Sequence, residues 1–255
     1  MNRIIVVSPV FCPQSFLTLR VVLTCALLLS AASVPLSRAA TTIDTFPFWN
    51  GSDFIDSFGE SNTATFGQTF RALVADSSLT SFTFKLGDTT GPIPVDFDAY
   101  VYAWDGAKAN GPMLFSAGPF STIPTNVPNS WETFTVHTGA VALIPGAQYV
   151  AFFSTSNRFD GILKTTDFAF LRPSFGDGKE DGVNAYPDGN FVFLNNQDDF
   201  GQITTVAWNN PAYYGGQPTD DLAFSMTFVP EPSSIALAAF GLAGVAVWGW
   251  SRRKR

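Results

Sequence analysis

From Asp221 to Phe228 the chain reads DLAFSMTF, with Leu222, Phe224, Met226 and Phe228 on one parity and Ala223, Ser225 and Thr227 on the other. Successive side chains of a strand point to opposite faces, so this pattern buries one face and leaves the other towards water. SLTSFTFKLGD repeats the arrangement, with Leu79, Phe82, Phe84 and Leu86 inward and Ser81, Thr83 and Lys85 outward. Further strands are predicted over Thr65–Arg71, Val95–Trp104, Trp131–His137, Ala147–Ser154, Ile162–Phe170 and Phe191–Leu194. Turn-forming segments separate them at Asp88–Pro94, Asp105–Pro112, Ile123–Ser130, Pro145–Gly146 and Pro173–Asn190. Strands at this spacing with no helical period predict an all-β chain, an antiparallel β-sandwich or jelly roll. The 26 Phe, 21 Gly and 17 Pro among 255 residues suit short strands joined by turns around one large core.

Charge is distributed unevenly. Residues 41–228 hold 7 basic and 20 acidic side chains, a formal charge of −13, while the remaining cations sit at the two ends. A body this acidic argues against nucleic acid as a partner, because phosphate binding needs clustered cations. It suits an extracellular surface, or one that meets cations.

Both ends read as addresses. Arg3 and Arg20 precede the twelve-residue apolar run Val21–Ala32, too short for a hydrocarbon core that needs about 20 residues but suited to a secretory signal. Pro35 follows, and Ser37 and Ala39 take the small-residue positions of a cleavage site. Residues 1–39 are therefore expected to direct the chain to the Sec translocon and to be cut off after Ala39 or Ala40. Cys12 and Cys25 are the only cysteines and both lie in that segment. The passenger, residues 40–228, then has no disulfide, Cys–zinc site or Cys nucleophile.

At the other end, Pro230 and Pro232 of Val229-Pro230-Glu231-Pro232 fix φ and remove donors, so neither a strand nor a helix interior continues there. Residues 233–250 are uncharged and would span roughly 27 Å as a helix, just long enough to cross a bilayer. Trp248 and Trp250 fit an interfacial belt, and Arg252, Arg253, Lys254 and Arg255 fit a cytoplasmic stop. This order of proline motif, apolar helix and basic end resembles the PEP-CTERM sorting tail of Gram-negative bacteria. The resemblance implies recognition by an exosortase near Pro230-Glu231-Pro232. It also implies temporary anchoring in the inner membrane, then release towards the cell surface or extracellular matrix, often alongside exopolysaccharide. Between the ends, GQTF (Gly67–Phe70), LTSFTFKL (Leu79–Leu86), YVYAWDG (Tyr100–Gly106), GPMLF (Gly111–Phe115), GAQYVAFFSTS (Gly146–Ser156) and DLAFSMTF are similar to galactose-binding-like jelly rolls in order and strand character.

No enzyme constellation is visible. His137 is the one histidine, on a predicted strand, and reads as a surface or structural residue. No G-x-S-x-G elbow or phosphate-cradling Gly loop occurs. The carboxylates sit mostly beside Gly or Asn, where turn formation is their plain role, and no acid pair for glycoside hydrolysis is marked. No cofactor is expected. Calcium is the one metal to weigh: Asp177, Glu180, Asp181 and Asp188 could form an oxygen cage, although Lys179 at a ligand position defeats an EF-hand loop. In VDFDAYVYAWDG, Phe97, Ala99, Val101 and Ala103 share one face and Asp96, Asp98, Tyr100, Tyr102 and Trp104 the other. Two readings stay open for that second face. Aromatic rings beside carboxylates stack on sugars and accept hydroxyl hydrogen bonds, or the same rings fill a core. The expectation is thus a non-enzymatic surface or matrix component that binds exopolysaccharide, against a hydrolase or a purely structural protein.

Overall fold

The computed structural model describes residues 39–60, 63–87, 93–125, 127, 130–171, 184–209 and 220–230. They belong to one compact unit, Ala39–Glu231. In chain order the described strands are β1 (Thr41–Asp44), β2 (Phe54–Gly59), β3 (Thr65–Arg71), β4 (Ser78–Gly87), β5 (Asp96–Trp104), β6 (Ala109–Ser121), β7 (Trp131–Ala142), β8 (Gln148–Ser154), β9 (Thr165–Leu171), β10 (Phe191–Leu194), β11 (Asp221–Leu222) and β12 (Phe224–Val229). One short helix, α1 (Gln202–Thr205), lies between β10 and β11.

The strands form two antiparallel sheets. β10-β3-β8-β5-β6 make five strands in that order, and β1, β12, β4, β9, β11, β2 and β7 make seven. β4 is the centre of the larger sheet, with β12 along one edge and β7 along the other. β12 in turn separates β4 from β1. The sheets pack face to face as an antiparallel β-sandwich. The inward residues predicted from alternation are buried: Leu79, Phe82, Phe84 and Leu86 on β4, and Leu222, Phe224, Met226 and Phe228 on β11 and β12. Leu79 and Phe82 are three apart, and both reach the core because a bulge shifts the register between Leu79 and Ser81.

Phenylalanine fills the interface between the sheets. Phe153 on β8 lies 4.7 Å from Phe97 on its own sheet, and 5.1 Å from Phe84 and 5.8 Å from Phe168 on the other, centroid to centroid. Phe66 meets Phe168 at 5.4 Å, and Phe70 meets Phe228 at 6.0 Å. These tilted and edge-on contacts are the preferred geometries of aromatic pairs.

The five-stranded sheet is buried on its outer face as well. Tyr100, Tyr102, Val150, Phe152, Val192 and Leu194 form a second apolar cluster, covered by Ile203 and Trp208 of the segment that carries α1. Trp208 meets Phe152 at 5.1 Å, and its Nε1 donates to the Ile203 carbonyl at 2.9 Å. A buried polar chain pins this segment: Asn196 accepts from Thr65 Oγ1 at 2.9 Å and donates to Ser156 Oγ at 2.7 Å.

Some elements depart from expectation. β1 and β2 form where no strand is predicted, and β6 begins at Ala109 inside the stretch expected to be a turn. β9 starts at Thr165 rather than Ile162, because Asp160–Lys164 is held in a turn by side-chain bonds. Ser37 and residues 231–255 lie outside the described residues, and among the described residues no helix is long and apolar enough to cross a membrane.

Asp221 ties the sheets at one point. Its Oδ1 accepts from Gln68 Nε2 of β3 at 2.7 Å and its Oδ2 from the Tyr186 amide at 3.1 Å, while Gln68 Oε1 accepts from the Leu222 amide at 2.9 Å. Burial pushes this carboxyl up to about 7, against the pull of its Gln68 and Tyr186 bonds. The folded pKa exceeds the unfolded one, so the contribution to stability is full below pH ~4 and is lost as pH rises through ~7. Urea unfolding at several pH values is therefore expected to show wild type losing on the order of 3 kcal/mol relative to Asp221→Asn between pH 4 and 8. Phe153→Ala is expected to cost about 3–5 kcal/mol in the same measurement, since it opens a cavity where both sheets meet.

Candidate functional site

The structure divides the predicted strand face in two. Towards its C-terminal end, Tyr102 is 7% exposed beneath the second cluster, and Trp104 stands edge-on to Trp208 at 5.6 Å. Tyr100 is equally enclosed, stacked on Phe152 at 5.2 Å and packed by Phe200 at 4.7 Å. The core-filling reading therefore holds for Tyr100 and Tyr102, which present no open ring face. Alternation places them correctly on the second face, but only the returning 195–209 segment buries it.

Towards its N-terminal end, the same strand meets the loop between β8 and β9 in a charged cluster. Arg158 grips Asp98 with two bonds, Nε to Oδ2 at 2.9 Å and Nη2 to Oδ1 at 2.6 Å. Tyr100 Oη donates to Asp98 Oδ2 at 3.4 Å and accepts from Asn157 Nδ2 at 2.9 Å. Burial pushes the Tyr100 hydroxyl up to about 12, and the Asp98 hydrogen bond raises Arg158 above the usual guanidinium value. Gly118 of β6 gives Asp98 its room: at φ +146° a Cβ there would lie 2.1 Å from Asp98 Oδ1.

Beside this pair is a second, more deeply buried ion cluster. Lys164 Nζ lies 2.9 Å from Asp160 Oδ2, 3.5 Å from Glu60 Oε1 and 3.9 Å from Asp96 Oδ2. The Lys164 and Glu60 side chains are 4% and 2% exposed. Glu60 also accepts from the Asp160 and Gly161 amides at 3.0 and 2.9 Å. Burial pulls the Lys164 ammonium down, but the Asp160 bond and the Glu60 and Asp96 charges outweigh it and hold it above its usual value. Lys164 likewise holds Asp160 below the carboxylate range. Gly59, at φ +143°, leaves space for the Lys164 carbonyl, which a Cβ would approach to 2.2 Å.

Asp96, Asp98 and Tyr100 are thus brought together, whereas Glu60, Asn157, Arg158, Asp160 and Lys164 were missed by sequence reasoning. Their one signal was local: two of the seven body cations stand six residues apart in SNRFDGILK. Chemically the cluster offers a rim of fixed donors and acceptors, with Arg158, Asp96 and Asp160 each part-exposed. Among the described residues, the carboxyls that burial raises are elsewhere: Asp221, in the core, and Glu132 on β7, which accepts from the Ile123 amide at 2.6 Å.

Other candidates separate. Asp188 pairs with Arg71 at 3.5 Å, while Asp177, Glu180 and Asp181 lie outside the described residues. Among the described residues no group of three His, Cys, Asp or Glu could hold a metal ion. His137 is exposed on β7 opposite Ser81. Lys164→Met is expected to cost about 3–5 kcal/mol in urea unfolding, because Glu60 would stay buried without its cation. Adding Glu60→Gln is expected to recover part of that loss in a double-mutant cycle.

The chain is similar to two solved structures of Cwp84. One is described as the cysteine protease and lectin-like domains of this surface layer associated protein of Clostridium difficile, at 15% identity and a TM-score of 0.40, covering 67% of this chain and 33% of that one. The other, the clostridial cysteine protease Cwp84 after propeptide cleavage, matches at 18% identity and a TM-score of 0.43, covering 71% of this chain and 38% of that one. The chain spans well under half the length of either. A search of curated proteins by sequence gave no match. Residues 228–254 match the PEP-CTERM protein-sorting motif, a range that includes Val229-Pro230-Glu231-Pro232 and Arg252–Lys254. The chain therefore carries the PEP-CTERM protein-sorting motif at its C-terminal end, the mark of an exported, surface-sorted protein.

Proposed function

We propose that this protein is a non-enzymatic cell-surface or matrix component that associates with exopolysaccharide once an exosortase has processed its tail. The observation that carries the reading is the position of the sorting motif. It begins at Phe228, a fully buried residue of β12, so the address starts where the folded passenger ends. On this reading the Sec translocon exports the chain of a Gram-negative bacterium. The apolar run 233–250 holds it in the inner membrane, and the sorting enzyme acts near Pro230-Glu231-Pro232. The acidic body keeps the released domain soluble and away from nucleic acid. The charged rim at the Arg158 end gives fixed hydrogen-bonding groups of the kind that hydroxyl-rich ligands use.

Intact-mass measurement in the native host is the test of sorting. Wild-type cells are expected to yield a protein lacking both the signal segment and the basic end, and an exosortase deletion is expected to retain the tail. An untrimmed C-terminus in both strains would overturn the sorting step. For the passenger, the purified protein is expected to be retained by the host's exopolysaccharide without shortening it. Failure of retention would leave a structural surface protein, and depolymerisation would make it a hydrolase.

A further inference from the structure

The two sheets differ in what lies on their outer faces. Residues 195–209 cover the five-stranded sheet, but the seven-stranded sheet presents its outward side chains in registered rows. Thr42, Thr227, Ser81 and His137 form one row across β1, β12, β4 and β7, and Asp44, Ser225, Thr83 and Thr135 form the next. All eight are exposed or half-buried. Neighbouring hydroxyls are in hydrogen-bonding reach, Thr83 to Thr135 at 3.0 Å and Thr42 to Thr227 at 3.4 Å.

One end of this face is aromatic. Lys85, paired with Thr133 beyond the second row, places its Nζ 4.8 Å from the Phe46 ring and 5.1 Å from the Trp49 ring. Trp49 stands edge-on to Trp131 at 4.9 Å, and Trp131 in turn lies against Gly87. The short 3-10 turn Phe46–Phe48, with Pro47 inside it, presents Phe48 at 65% exposure and leaves Trp49 half-buried just beyond. Rings held at the margin of a hydroxyl field combine stacking and hydrogen bonding, the two interactions a sugar ring uses.

We infer that this open face is the polysaccharide-binding surface, and that its occupant is an extended chain of neutral sugars; the inference rests on the exopolysaccharide reading above. Charge selects the occupant. The body carries a formal −13, yet the two rows and Lys85 contain one carboxylate, Asp44, and one ammonium. Covering hydroxyls costs far less than covering carboxylates, so a large polymer desolvates this part of the surface most easily. An uncharged polyol meets donors and acceptors of its own kind there, whereas an anionic polymer is repelled by the surrounding acids. Strands about 4.8 Å apart repeat the hydroxyls at regular intervals, which suits a linear chain better than a single small sugar.

The test uses the full-length chain in mild detergent, run through native gels containing hydroxyethylcellulose, laminarin or dextran as neutral probes, or alginate as the anionic one. Wild type is expected to be retarded by at least one neutral polymer and not by alginate. Thr83→Val with Thr135→Val, and separately Trp49→Ala, are each expected to weaken that retardation at least tenfold. The valine pair, isosteric and exposed, is expected to keep the wild-type urea midpoint, so it decides alone where Trp49→Ala fails to fold. Wild-type retardation that both variants retain would overturn this face as the site and leave the exopolysaccharide reading standing. Retardation by alginate alone would overturn the neutral occupant. No retardation of wild type by any polymer would overturn the inference, and absence of retention by the host's own exopolysaccharide would remove the reading beneath it.

Discussion

The sandwich depends on the contact between phenylalanine rings of opposite sheets. No cysteine lies in residues 40–228, so no covalent bridge can join the layers, and the noncovalent interface must keep them together. Phe153 carries much of that duty: it sits among Phe97 of its own sheet and Phe84 and Phe168 of the other. Close packing makes such an interface sensitive to shape as well as to area, and the rings of Phe153, Phe84 and Phe168 meet at tilted and edge-on angles. Asp221 and Gln68 add a polar tie between the layers, whose carboxyl is costly to bury in its charged form.

Much of this was legible in the sequence, because alternation acts locally. Leu79–Leu86 and Leu222–Phe228 revealed both strand and face through their apolar parity, and Thr65–Arg71 revealed the strand, though both of its faces are buried. β6 was hidden because its 13 residues are mostly exposed and include Gly111, Pro112, Gly118 and Pro119, which read as turn. β2 was hidden because FIDSFG carries a shift of register against β9 between Ile55 and Phe58. Parity also placed Tyr100 and Tyr102 correctly, but no local pattern announces that residues 195–209 return to cover them. The Glu60–Lys164 and Asp98–Arg158 pairs stayed invisible for a similar reason: their partners are 60 to 104 residues apart and meet only through the topology.

The two outer faces give the domain a polarity of use. One sheet is enclosed twice, by the core and by the α1 segment, and it holds the polar chain from Thr65 through Asn196. Among the described residues the other is enclosed once. Burying a second face fixes the position of the first sheet and frees the second to carry side chains that packing does not dictate. The charged end around Arg158 belongs to the enclosed sheet, and its ions face one another more than they face solvent. That arrangement favours rigidity, because breaking any one pair leaves a buried charge behind.

β12 is the last strand before the sorting motif, yet it occupies an interior place between β1 and β4. In the described structure β1, the first strand, pairs only with β12. The larger sheet therefore cannot close until residues 224–229 are available, and the chain's beginning must wait for its end. The sheet's outermost strand and the sorting motif thus hang on the same six residues.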